Sequence, residues 1–466
     1  MATLTLPTKP LLTDSPAIES ARGHSLKSGS IGKGPVIYWL SRESRLQDNE
    51  AFQRAFIEAD NLGRPLQVLF CLAPLFTNGS PRCYQPLFTG LQEVELECRA
   101  RNIGFQILTG NPAQTLPKLF KEIDPAILVT DFSPMAHHRN WLKEISQKIS
   151  CPMIRVDAHN IVPCWQASPK EEIGARTLRP KLAKLLPDFL RPFPALPDSP
   201  KVSHPELPKT DWTLLWTFLG EMPQIQPIDY PAGSVGGKDT LLHFLSHQLD
   251  SYNETRNDPS RQGQSGLSPW LHFGHLSPRR VALEAWLSDV SPESKAVFLE
   301  ELIVRRELAD NYCFYNPNAG QITGIPAWAK ITLERHQDDP RPYSYNLEEL
   351  RSGKTHDPAW NAAQRELVTT GKMHGYMRMY WAKQLLLWGK SPKEAFELAL
   401  HLNDLYSLDG RDPNGITGVA WSIGGLHDRP WGERAVYGSI RSMVYSGLKK
   451  KFPIETYTNL YIPNED

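Results

Sequence analysis

At 466 residues the chain is too long for one ordinary hydrophobic core and suits two domains, with interior enough to enclose a large cofactor. Its 51 Lys and Arg balance its 51 Asp and Glu, which excludes a global basic field, so any nucleic-acid site must be a local patch. No apolar run approaches the ~20 residues that cross a bilayer, and the six scattered cysteines form no CxxC pair and join no His cluster at metal-ligand spacing; the expectation is a soluble cytosolic protein with reduced thiols and no metal.

Residues 1–33 are rich in Ser, Thr, Pro and Gly and lack an apolar signal core, so they read as a flexible tail. A transit peptide is the alternative, with Asp14 and Glu19 counting against it. Over residues 34–163 short apolar runs ("VIYWLS", "LQVLFCLAP", "FQILTG", "AILVTDF", "MIRVDAHNIVP") alternate with amphipathic stretches such as "PLFTGLQEVELECRARN". That is the rhythm of a parallel sheet wrapped by helices. No GxGxxG loop follows the first run, which removes the main support for a dinucleotide-dependent dehydrogenase. Proline density rises over residues 164–238 ("LLPDFLRPFPALPDSPKVSHPELPK"), predicting a surface connection between domains. From 239 to 466 the strand signal almost vanishes and helical segments follow one another, predicting an all-α domain without internal repeats.

Within that second half, Ser265, Gly266 and Ser268 precede a helix-like run, where free backbone N–H groups favour a phosphate; taken alone, such a start is mostly an ordinary helix cap. On the helix from Pro292, Glu301 shares a face with Val297, Val304 and Leu308, which aims its carboxylate inward; an ion pair with Arg305 or Arg306 is the plain alternative. The stretch "GKMHGYMRMYWAKQLLLWGK" (371–390) sets Arg378, Trp381, Leu385 and Trp388 on one helical stripe, which core packing alone would account for. "HLNDLYSLDGRDPNG" (401–415) concentrates acids and amides in what also reads as an Asx-rich turn.

The run Tyr252, Arg256 and Ser265-Gly266-Leu267-Ser268-Pro269-Trp270-Leu271 resembles the flavin-binding segment of the DNA photolyases and cryptochromes. "YWLSRESRLQDN", "VDAHNIVPCWQASPKEE", "FLEELIVRRELADNYCFY", "THDPAWNAAQREL", "GKMHGYMRMYWAK" and "WSIGGLHDRPW" resemble class II cyclobutane pyrimidine dimer photolyases in particular, and the likeness runs from about Val36 to Phe452. It implies an α/β domain, with a Rossmann-like doubly wound parallel sheet, followed by an all-α FAD-binding domain. The implied activity is the splitting of pyrimidine dimers in UV-damaged DNA with blue or near-UV light and reduced FAD.

The resemblance also implies roles. Tyr252, Gln264, Ser265, Gly266, Leu267, Ser268, Arg378, Asp409 and Arg411 would hold FAD, with Arg378 and Asp409 paired. Asn403 would face the reactive flavin nitrogen, although a register count from Asp409 points to Asn414 instead. Glu301 would hydrogen-bond the dimer. Trp421 would stack on the flipped-out lesion, Tyr376 and Met379 would line its pocket, and Arg256, Arg305, Arg429 and Arg441 would contact DNA. Val304 and Arg305 stand where related classes carry a tryptophan, so a two-sided aromatic clamp on the dimer is in doubt. Trp381, Trp360 and Trp388 would pass electrons to the flavin, Trp381 nearest to it and Trp360 and Trp388 farther out in an order the sequence leaves open. Lys449 to Lys451 read as a solvated terminus before they read as phosphate contacts. A light-harvesting deazaflavin or folate in the α/β half is the family's further possibility. The expected protein is a monomer located in the cytoplasm with access to the nucleoid, or in an organelle or the nucleus of a eukaryote. The competing reading is a cryptochrome-like photoreceptor without repair activity; a 6-4 photolyase fits the strings less well.

Overall fold

The computed structural model describes residues 21–76 and 79–461. Six strands form one sheet in the order β1-β6-β5-β2-β3-β4: β1 (Gly23–Lys27), β2 (Val36–Leu40), β3 (Leu66–Leu72), β4 (Gly104–Thr109), β5 (Ile127–Asp131) and β6 (Met153–Val156). β2 to β6 run parallel, because each is returned by a helix: α1 (Glu50–Leu62), α2 (Pro81–Ala100), α3 (Pro112–Ile123) and α4 (Ala136–Lys148). β2 shows why the sheet is covered twice. Val36, Tyr38 and Leu40 pack into one core while Ile37 and Trp39 pack into another, so both faces of the strand are dry. β2 also sits between β3 and β5, where the winding direction reverses and a crevice opens beyond the carboxyl ends of the strands.

Two boundaries differ from expectation. Residues 1–20, most of the expected tail, lie outside the described residues, but β1 begins at Gly23 and pairs antiparallel with β6, Gly23 opposite Val156. The segment "GHSLK" carries no strand signal of its own, because an edge strand buries little and shows no clear apolar alternation. The proline-rich connection 164–238 is likewise not one loop. It contains a helix, α5 (Ala175–Phe189), whose Leu178, Leu182 and Leu186 are fully buried with Phe244 and Phe298. Spacing by four residues makes that stripe, and its burial overrides the Pro180 and Pro187 that signalled a loop.

The helical region is built around two cores, the first of which takes in α6 (Pro278–Leu287), α7 (Pro292–Leu299) and the start of α8 (Arg306–Tyr315). The one used below contains α9 (Pro358–Thr370), α10 (Gly375–Trp388), α11 (Pro392–Tyr406), α12 (Pro413–Gly424) and α13 (Ile454–Tyr461). The α/β region meets it through a buried polar seam. Asp131, at the end of β5, accepts the amides of Ser41 (2.8 Å), Arg42 (2.9 Å) and Glu43 (3.2 Å), which folds the loop after β2 around one carboxylate. Arg42 is thereby turned toward the helix Arg306–Tyr315 and donates two hydrogen bonds to Asp310, at 2.8 and 3.0 Å. Asn160 adds a third at 3.0 Å. Burial opposes the charge on Asp310, but Arg42 outweighs it and holds the carboxyl below its ordinary range.

Removing one partner would strand a buried charge. Asp310→Ala is expected to cost ~3–5 kcal/mol, whereas Arg42→Met with Asp310→Leu should recover most of that loss. Urea unfolding of the single and double variants checks this; a small cost for Asp310→Ala would mean that water reaches the pair.

Candidate functional site

α9 ends at Gly371, whose φ of +70° supplies the left-handed turn, and α10 starts after His374, whose Nδ1 accepts the Tyr376 amide at 3.2 Å. The sharp corner between them, residues 371–374, is pinned to the segment after α11 by Leu408 N–H donating to the Gly371 carbonyl at 2.8 Å. Two cations therefore converge on one acid. Arg378, one turn into α10, donates to Asn403 Oδ1 at 3.2 Å and lies 3.8 Å from Asp409. Lys372, in the corner, donates to the Ser268 hydroxyl and to the Gly266 carbonyl at 3.4 Å. Burial opposes ionisation of Asp409, yet Lys372, Arg378 and the Ser268 and Ser407 hydroxyls together hold its carboxyl far below the usual range. Burial lowers Lys372 in turn, and Asp409 pulls it back up.

The cluster Ser268, Lys372, Arg378, Asn403 and Asp409 thus carries two cations against one carboxylate. Such a donor set fits an anionic partner, a diphosphate or a reduced flavin. Gly266, at φ +68°, leaves open space where a side chain would stand, so backbone can approach a ligand there. Lys372 was missed in the sequence, although it stands in the quoted "GKMHGYMR" string; nothing in spacing shows that the corner folds back onto residues 266–268. Of the two amides, Asn403 is buried in the cluster and donates to Asp404 at 2.9 Å, while Asn414 is exposed and held by Asp412 at 2.7 Å.

The other expected cofactor residues surround this cluster. Tyr252 is packed edge-on against Phe244 and Phe298, and burial pushes its phenol up to about 12. Leu267 is buried beside it in the same core, the Ser265 hydroxyl accepts the Leu267 amide at 3.5 Å, and Gln264 reaches the Arg256 carbonyl at 3.5 Å. Arg411 points elsewhere. Its guanidinium lies 4.8 Å over the Phe76 ring and lines a cavity of about 660 Å³ beyond the strand ends, with Trp39, Ser41, Asn111, His138 and Asp412. His138 accepts or donates a 3.0 Å bond with Ser41, and burial pushes its imidazole down to about 3.

Glu301 corrects the sequence reading. Its side chain is 37% exposed and pairs with Arg256 at 3.0 Å; it is neither apolar-shielded nor bonded to Arg305 or Arg306. The cause is a π-helical segment, Glu300–Arg305, which widens the winding and breaks the 3.6-residue face count. Arg305 instead lies 3.5 Å from Glu300, and Arg306 3.8 Å from Glu307.

Among the residues expected to meet DNA, Trp421 is half-buried with the Lys383 ammonium 4.8 Å from its ring centroid, and Lys383 donates to the Ser422 carbonyl at 2.7 Å. Arg429 and Arg441 both lie over Trp431, at 5.5 and 4.8 Å, and that tryptophan is 42% exposed. Sequence reasoning missed it, though an aromatic between two arginines in a loop was the available signal. Tyr376 is half-buried against Phe452 with Lys451 over its ring, Met379 is half-buried on the same helix, and Lys449 pairs with Glu455 at 2.8 Å.

The tryptophans form a continuous run. Trp381 and Trp360 are stacked at 6.2 Å and 9°, and Trp360 meets Trp388 at 5.4 Å and 64°. The Trp360 indole donates to the Trp381 carbonyl at 3.0 Å, and Trp381 to Gln364 at 2.9 Å. All six cysteines are free and buried, and no cluster of metal-binding side chains occurs among the described residues. No described helix is long and apolar enough to cross a membrane.

The family described as DNA photolyase matches residues 36–199. Proteins named deoxyribodipyrimidine photo-lyase are similar over nearly the whole chain. That of Potorous tridactylus is 44% identical, covering 92% of this chain and 81% of its own length. The Arabidopsis thaliana protein is 41% identical (95% and 92%), and that of Methanothermobacter thermautotrophicus 40% identical (91% and 94%). Among solved structures, a Synechocystis sp. PCC6803 cryptochrome matches with a TM-score of 0.71 at 19% identity over 93% of this chain and 89% of that one, a likeness of fold alone.

Lys383 generates a pH prediction. Burial pushes its ammonium down from 10.5 to about 7, with Asp428 opposing the fall and Arg441 adding to it. Above the folded value the unfolded chain binds the extra proton, so stability rises with pH from about 7 toward 10, by at most ~1.4 kcal/mol per pH unit. Lys383→Met should remove that slope between pH 7 and 9 in denaturant titrations; an unchanged slope would show the ammonium to be hydrated.

Proposed function

This chain belongs to the DNA photolyase family, and we propose from that premise that it is the enzyme its sequence resembles, a light-driven lyase that splits cyclobutane pyrimidine dimers in UV-damaged DNA. The observation that carries the reading is α10, which presents Arg378 to the cation-rich cluster and, three residues on, Trp381 to the aromatic run. Reduced FAD, when bound, supplies the electron that opens the cyclobutane ring on absorbing blue or near-UV light.

The chain's own residues provide everything else. Lys372, the Ser265 and Ser268 hydroxyls and the open backbone at Gly266 hold the diphosphate. The Arg378–Asp409 pair and the Asn403 amide orient the flavin ring edge and favour its anionic form. Glu301 and Arg256 face the dimer, the carboxyl as a hydrogen-bond partner for the base and the guanidinium as a phosphate contact. Trp421, steadied by Lys383, stacks on the extruded lesion, whose poor stacking lowers the few kcal/mol that flipping costs. Arg429, Trp431 and Arg441 meet the duplex beside it. Trp381, Trp360 and Trp388 form the electron path in that order, outward from the cluster. The 660 Å³ cavity beyond the strand ends, lined by aromatic and polar groups, suits a second, light-harvesting chromophore of deazaflavin or folate type.

The deciding experiment illuminates the reduced protein with an oligonucleotide carrying one thymine dimer and follows thymine absorbance. Recovery over many turnovers is expected; flavin binding without recovery would favour the photoreceptor reading. Glu301→Gln should retain FAD and lower repair per absorbed photon about tenfold, equivalent to ~1.4 kcal/mol; parental efficiency would reduce Glu301 to a partner of Arg256. Trp381→Phe should bind FAD, lose light-driven reduction of the oxidised flavin, and still repair once dithionite has reduced it. Normal photoreduction in that variant would return the stripe to core packing.

A further inference from the structure

The three tryptophans are sealed from water: Trp360 is fully buried, Trp381 is 1% exposed and Trp388 4%. An electron path that ends on Trp388 would leave a cation where it cannot be hydrated. The Trp388 indole N–H is buried and has no hydrogen-bond partner among the described residues, so its proton has no base to go to. Two further rings lie against it. Tyr345 meets Trp388 at 5.1 Å and 72°, and His356 meets it at 5.5 Å and 65°.

These two are bonded to each other. The Tyr345 hydroxyl lies 2.5 Å from His356 Nδ1, and its oxygen also accepts the His356 backbone N–H at 3.1 Å, leaving the phenolic hydrogen for the imidazole. His356 is exposed and stacked at 3.6 Å on Tyr343, itself 46% exposed. The dyad therefore joins the dry run to solvent.

We propose that the electron path ends on Tyr345, with His356 as the base that takes its proton. The proposal rests on the reading of Trp381, Trp360 and Trp388 as an electron path. Trp381 loses one electron to a photo-excited oxidised flavin and is refilled from Trp360, which is refilled from Trp388. Tyr345 then gives one electron to Trp388 as its O–H bond breaks and the proton moves to His356 Nδ1. The products are a neutral phenoxyl radical and an imidazolium, so the positive charge leaves the apolar interior for a hydrated side chain. A diffusible thiol restores Tyr345 by giving it one electron and one proton, and the imidazolium releases its proton to water.

Flash excitation of the protein with oxidised FAD, read by transient absorption and electron paramagnetic resonance, tests this. A tyrosyl radical is expected, formed more slowly in D2O because the proton moves with the electron. In Tyr345→Phe the signal should stop at a tryptophan cation that recombines about tenfold faster, the equivalent of ~1.4 kcal/mol in barrier. His356→Phe, which keeps the ring stack, should do the same and be rescued by imidazole in the buffer. A tryptophan radical of parental lifetime in Tyr345→Phe, with no solvent isotope effect in the unaltered protein, overturns the dyad and leaves the tryptophan path standing. Absence of any aromatic radical in the unaltered protein overturns both.

Discussion

Arg42 and Asp310 meet where little water reaches, their side chains 10% and 1% exposed, so their contact depends on geometry: made in full it offsets the desolvation of both charges, and made loosely it does not. Asp131 gathers the amides of residues 41–43 and so fixes the direction in which Arg42 leaves the sheet. His272 and Asp412 of the helical region, 3.0 Å apart, stand with Trp39, Ser41 and Arg42 around the cavity beyond the strand ends.

The same economy of charge appears in the cluster around Asp409. One carboxylate, Asp409, serves Arg378 directly and Lys372 through the local field, while Ser407 and Ser268 supply hydroxyls. Two cations against one carboxylate, with Arg378 3.8 Å from Asp409 and 23% exposed, leave positive charge in the cluster that a bound anion would offset. Placing Trp381 one turn beyond Arg378 ties the aromatic run to the same helix, so the two cannot drift apart without unwinding α10.

Much of this was legible in the sequence. The apolar runs of β2, β3 and β5 reflect burial on both faces, which leaves a strong pattern, and the residues that the family resemblance groups, Arg378 with Asp409 and Trp381, Trp360 and Trp388 with one another, stand side by side. What escaped had weak or misleading local signals. β1 is a polar edge; α5 carries prolines over a leucine stripe; Lys372 acts across more than a hundred residues of chain, which no spacing rule reaches. Glu301 is the instructive case, because the face count was sound for an α-helix and the backbone is not one there.

That π-helical segment has a mechanical consequence. Glu300–Arg305 joins the helix Pro292–Leu299 to the helix Arg306–Tyr315, and its slower winding sets the rotation of everything after it relative to everything before. One end of this shaft presents Glu301 to Arg256; the other presents Asp310 to Arg42. The two are keyed to a common phase. Deleting or inserting one residue would turn one key by about 100° against the other, so the segment can tolerate substitutions while its length is as constrained as that of a gear with a fixed number of teeth.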